Sequence, residues 1–289
     1  EQVRSVFAEI APTLLEKPLE NRSGFSTGGR VAAIAAQQLL RAAQVGALPD
    51  ARLETNVYVL HRRLGMDPGP WIGAELAVGE GPAPAEVASL EALLARPPRR
   101  AFLPVDRGQS PGFLELCCAS FEERSADGRV LHSAAREFVL PRRLSSNTVA
   151  AALLRRHGDR VFLGLDDDDL PAAQGFLGSS ALLVTPAWRL PRSVTGLTAA
   201  VGWVRERLRD EHGLEAGEVT ELGGRYFPSA GVTPEVVHPL AIEIREERGV
   251  GRKLLWVPLD EVVARLDRLM DGHLRIVALR AAHALGRLG

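Results

Sequence analysis

The chain has 289 residues, 46% of them hydrophobic and 25% charged, enough for one large domain or two ordinary ones with a real core. Lys plus Arg total 35 against 36 for Asp plus Glu, and a formal charge of -1 leaves no electrostatic footprint for nucleic acid. No apolar run approaches the length of a membrane span and no signal peptide opens the chain, so neither a membrane partner nor export is expected; a start at Glu1 rather than Met leaves room for residues upstream.

Residues 1–100 are rich in Ala, Leu and Pro. Val31, Ile34, Ala35, Leu39, Ala42 and Val45 fall near helical spacing, which predicts a helix closed by Gly46. Asn56 to His61 alternates weakly and reads as a strand. Pro84 to Ala95 reads as a helix with Pro84 in its first turn. Pro97-Pro98 and the segment from Asp106 to Gly112 mark a boundary loop.

Strand grammar begins at Phe113. Phe113 to Glu123 and Arg129 to Leu140 flank the turn Ala126-Asp127-Gly128, as a hairpin requires. The only two cysteines, Cys117-Cys118, are neighbours on the first of these strands and point to opposite faces, which places them poorly for a mutual bridge and fits a reducing cytoplasm. Thr148 to Leu154 and Arg160 to Leu165 pair around His157-Gly158-Asp159. Asp166 to Asp169 reads as a solvated turn before Pro171, since successive extended residues diverge and no calcium-loop pattern follows. A helix from Ala199 to His212 ends at Gly213. Val219 to Tyr226, Val237 to Arg245 and Leu254 to Pro258 read as strands. Glu261 to Leu269 reads as a helix capped by Asp260, and Leu274 to Leu285 as a last apolar helix. Mixed strands flanked by helices make the expected fold class α+β.

Three pieces in order, Trp188-Arg189-Leu190-Pro191, the helix ending Asp210-Glu211-His212-Gly213-Leu214, and Leu222-Gly223-Gly224-Arg225-Tyr226-Phe227-Pro228-Ser229-Ala230-Gly231, resemble a Nudix domain of the ADP-ribose pyrophosphatase type. That resemblance implies an α/β/α sandwich with a mixed sheet over residues 113–289. Residues 1–105 would then be a smaller α-rich region or a degenerate Nudix-like half, in which Gly28-Gly29, the helix to Gly46 and strands at Ala51 to Leu60 and Ala74 to Val78 echo the same order. It also implies hydrolysis of a nucleoside diphosphate joined to another group, with Mg²⁺ held by acids on one helical face.

The family's box reads G-x5-E-x7-R-E-U-x-E-E-x-G-U, with U apolar. Asp210-Glu211 match its acidic pair and Leu208 its apolar position. The preceding R-E falls inverted on Glu206-Arg207, the upstream acid on Thr198 and the glycine on Arg192. Glu206 and Asp210 share a helical face and Glu211 lies about 100° beyond. These three are the candidate metal ligands, although Arg205, Arg207 and Arg209 interleave them as on an ordinary solvated helix.

Glu235 matches the family's general base, while a local pairing role is the structural alternative; His238 reads as a structural histidine. Arg189 and Arg225 would meet phosphate, and Phe227 and Trp188 would line the substrate, Trp188 by stacking on a base if it is not core. Two functions follow. One is a protein that kept the pocket for a nucleotide-type small molecule, lost the metal, and acts alone or through a second copy or protein partner. The other is a Mg²⁺-dependent pyrophosphohydrolase of ADP-ribose or a nucleotide sugar. The misplaced box favours the first.

Overall fold

The computed structural model describes residues 33–102, 112–229 and 232–288. Gly28-Gly29, Ala230-Gly231 and positions 106–111 of the expected boundary loop lie outside them.

The described N-terminal region contributes three helices, α1 (Ala36–Gln44), α2 (Ala51–Leu64) and α3 (Leu90–Leu94). Gly46, at φ 74°, follows α1 as expected. The strand expected at Asn56 to His61 is instead the middle of α2, whose first turn is capped by Asp50 accepting from the backbone N–H groups of Arg52 and Leu53, both at 2.9 Å. Its buried positions are Ala51, Glu54, Thr55, Val57, Tyr58 and His61, and the charged or polar Glu54, Thr55 and His61 among them mask the apolar stripe. Ala74 to Val78 is likewise not a strand. The helix expected from Pro84 shrinks to five residues, because Ser89 caps it and the stretch before it is irregular.

β1 (Leu114–Arg124) and β2 (Val130–Pro141) form the expected antiparallel hairpin as a separate two-stranded sheet. Cys117 and Cys118 lie on β1 as free thiols. The main sheet contains β3 (Leu144–His157), β4 (Arg160–Asp169), β5 (Ala181–Val184), β6 (Ala187–Pro191), β7 (Leu214–Glu221), β8 (Val236–Glu247) and β9 (Leu255–Pro258). Its path runs β5-β4-β3-β8-β7, with β6 on β3 and β9 on β4; β3 and β8 are parallel and the other pairs antiparallel. The sheet is therefore mixed, and the class is α+β.

Alternation along the strands builds two cores. Val149, Ala151 and Leu153 of β3, with Phe162, Leu240, Ile242 and Trp256, pack against α5 (Leu197–His212) through Ala200, Val204 and Leu208. Ala150, Ala152 and Leu154 point the other way, with Leu163, Ala241 and Val257, into a cluster shared with α6 (Leu259–Ala264) and α7 (Gly272–Ala284). Leu40, Tyr58, Leu76, Leu90 and Leu93 join that second cluster, so the described N-terminal helices share a core with α7. Helices thus cover both faces of the sheet. The remaining helix, α4 (Pro171–Leu177), follows β4.

Three further expectations change. Asp166 to Asp169 is not a turn but the second half of β4, paired with β5. The strand expected at Val219 to Tyr226 lies earlier, as β7, because Gly213 turns the chain straight out of α5 at φ 63°. Asp260 caps nothing: the chain enters α6 after Pro258, and the helix stops at Ala264 before a single 3-10 turn at Leu266–Arg268. No helix among the described residues is long and apolar enough to cross a membrane.

Candidate functional site

α5 presents its acids on the exposed side, opposite the Ala200, Val204, Leu208 stripe, and Glu206, Asp210 and Glu211 are all exposed. Glu211 is engaged at both oxygens. Oε2 accepts from the Trp188 indole N–H at 2.9 Å and Oε1 from Arg207 at 3.4 Å, one helical turn back. Arg205, the second interleaved arginine, donates to the carbonyls of Ala216 and Gly217 and ties the helix to β7. Among the described residues no three His, Cys, Asp or Glu side chains stand close enough to share an ion. The three acids of α5 therefore do not converge on one point: Glu206 and Asp210 face solvent and Glu211 is already bonded to Trp188 and Arg207.

Glu235 precedes β8 and is also engaged. It accepts from Thr148 Oγ1 at 2.5 Å and pairs with Arg189 at 3.2 Å, both carboxylate and guanidinium largely buried. Strand parity separates these groups from Glu211. Thr148 and Arg189 face each other in register and so do Val149 and Trp188. Val149 belongs to the α5 core and Trp188 packs against it, whereas Ala150, in step with Thr148, belongs to the α7 core. Glu235 is held on one face of the sheet and Glu211 on the other.

The two phosphate candidates are similarly divided. Arg189 is committed to Glu235, while Arg225 is exposed and close enough to His238 to disfavour its protonation. Burial is the larger cause of the lowered His238 pKa, and its Nε2 meets Asn147 Oδ1 at 3.1 Å, as a structural histidine would. Phe227 is half-buried, and its N–H donates to Pro49 O at 2.7 Å.

The Gly223-Gly224 step beside it also has a structural explanation. Gly224 N–H donates to Gln44 O at 2.7 Å, and a Cβ on Gly224 would lie 2.2 Å from the backbone N of Gly46. The motif loop is where the α1–α2 connection docks.

Trp188 and Glu211 do share a cavity, of about 320 Å³, with Asp166, Asp168, Arg252 and Asp271. Arg252 Nε lies 2.7 Å from Asp166 Oδ1, an ion-pair distance without hydrogen-bond alignment, and its Nη2 reaches Asp168 at 3.1 Å. Burial pushes the Asp166 carboxyl up despite that arginine. Asp167 and Asp169 alternate to the other side and pair with Arg96 and Arg99. Four carboxylates against one guanidinium make this cavity hostile to an unneutralised diphosphate and suited to a base, a ribose or a hydrogen-bond donor.

Arg252, Thr148 and Asp271 were not candidates from the sequence. Asp271 could have been, as an N-cap one residue before a helix: it accepts from His273 and Leu274 N–H groups. Isolated in sequence, Arg252 and Thr148 gave no signal. Comparison of the chain with models of known protein families and with curated protein sequences gives no match.

Proposed function

We propose that this chain is a ligand-binding or scaffold protein on a Nudix-like framework, with a nucleotide-type small molecule as ligand and no dependence on a metal held by α5. The observation that carries this reading is the separation of Glu211 and Glu235 across the sheet, each with its own partners. Hydrolysis by the family's route needs an acid-held ion, a water and a general base within hydrogen-bond reach of one another. Here Trp188 and Arg207 hold one acid, and Thr148 and Arg189 hold the other. The acidic cavity beside Trp188 supports contact with the base or ribose of a ligand rather than its phosphates. A scaffold role would act through a second copy of the chain or a protein partner.

The test is calorimetric titration with ADP-ribose, in EDTA and then in Mg²⁺, alongside a turnover assay. Binding of equal strength in both buffers, without product, is expected. Mg²⁺-dependent turnover that disappears in Asp210→Ala would establish the pyrophosphohydrolase instead.

A further inference from the structure

A cavity of about 680 Å³ lies away from α5, between the C-terminal ends of α2 and α7. Its volume is within the range of small-molecule sites. His61, from the last turn of α2, belongs to its lining yet is only 1% exposed, and neither ring nitrogen has a hydrogen-bond partner among the described residues. Buried imidazole nitrogens are normally paired, so this one calls for a partner that the described residues do not supply.

The other histidine of the cavity behaves differently. His283 Nε2 meets Gly69 O at 2.7 Å, which obliges it to donate, and Nδ1 is left as the acceptor for two donors, the Tyr58 hydroxyl at 2.8 Å and the Gln44 amide nitrogen at 3.2 Å. His283 is complete and His61 is not.

We propose that this cavity binds an uncharged planar heterocycle carrying an N–H donor and a ring-nitrogen acceptor, recognised by His61. A neutral imidazole offers one acceptor and one donor, and such a ligand can answer either. Trp71 and Met66 supply the flat and polarisable apolar contact. The charged groups of the lining, Arg62 and Asp67, have opposite signs and are already occupied in part, Arg62 by the Val263 carbonyl and Asp67 by the Gly69 N–H. They leave no net field to select an ion. The site is independent of the α5 region and of the reading given to it.

The experiment uses the full chain and benzimidazole, with adenine as a second probe and naphthalene as a ring without nitrogen. ¹⁵N spectra of the histidine rings and of the Trp71 indole N–H are followed during titration, and Kd is measured for wild type and His61→Phe. Saturable shifts at the His61 nitrogens and Trp71 with benzimidazole or adenine, and at least tenfold weaker binding by His61→Phe, are expected. Unmoved His61 and Trp71 signals, equal affinity for naphthalene, or equal binding by His61→Phe would overturn the proposal. Should His61→Phe not fold, the wild-type spectra decide alone.

Discussion

Arg280 of α7 and Glu54 of α2 form a doubly hydrogen-bonded ion pair, Nε to Oε1 and Nη2 to Oε2 both at 2.7 Å, with neither side chain exposed to solvent. The same guanidinium donates to the carbonyls of Leu222 and Gly224, so one side chain ties α2, α7 and the motif loop together. A buried pair of this kind is weak as a source of net stability but severe when broken, because one charge is left without compensation. Glu54→Ala is therefore expected to destabilise by about 3–5 kcal/mol, whereas the double replacement Glu54→Leu with Arg280→Met should recover much of that loss. Urea unfolding of the three variants measures both.

Two glycines should respond to alanine with opposite signs. Gly202 lies inside α5 with open space where a Cβ would stand, so Gly202→Ala should stabilise by about 0.5–1 kcal/mol. Gly224→Ala would drive a methyl into the Gly46 backbone and should destabilise by about 1–3 kcal/mol. Chemical denaturation resolves the difference in sign.

Glu235→Gln preserves shape and removes the charge facing Arg189. A loss of about 1–2 kcal/mol is expected from that half-satisfied, largely buried guanidinium. If Glu235 is a structural acid, ADP-ribose binding in EDTA is unchanged in the variant. Abolished turnover at full stability would make it a general base.

Stability should fall on mild acidification. Burial lowers the pKa of His283, and burial followed by Arg225 lowers that of His238, so both are neutral in the native protein at pH values where the unfolded chain already binds protons. Their contribution is complete above the unfolded value of about 6.5 and is lost as pH falls below it, because protons then bind the unfolded state preferentially. Asp166, whose carboxyl is pushed up by burial, acts with the opposite sign as it protonates. Subtracting the profile of His283→Gln from that of wild type isolates the histidine: the wild-type curve should be steeper between about pH 7 and 5.

Much of the fold was legible where one physical signal dominated. The β1–β2 hairpin follows from Asp127-Gly128 between alternating segments, and α5 from its spacing and the Gly213 stop. Local periodicity does not reveal α2, because Glu54, Thr55 and His61 occupy its buried face. A buried glutamate is acceptable only because Arg280, 226 residues away, neutralises it, and no local window contains that fact. Asp166 to Asp169 reads locally as a turn for the same reason: Arg96, Arg99 and Arg252, distant in sequence, make four successive aspartates tolerable in a strand.

By itself, the sequence determined the α+β class, most strands of the mixed sheet and the acids carried by α5, since periodicity, turn chemistry and residue identity are local properties. Only the tertiary structure decided which of those acids already have partners, and on which face of the sheet each is held. Strand register places Trp188 beside Glu211 and Arg189 beside Glu235, and register is set by long-range pairing of β3 with β6 and β8.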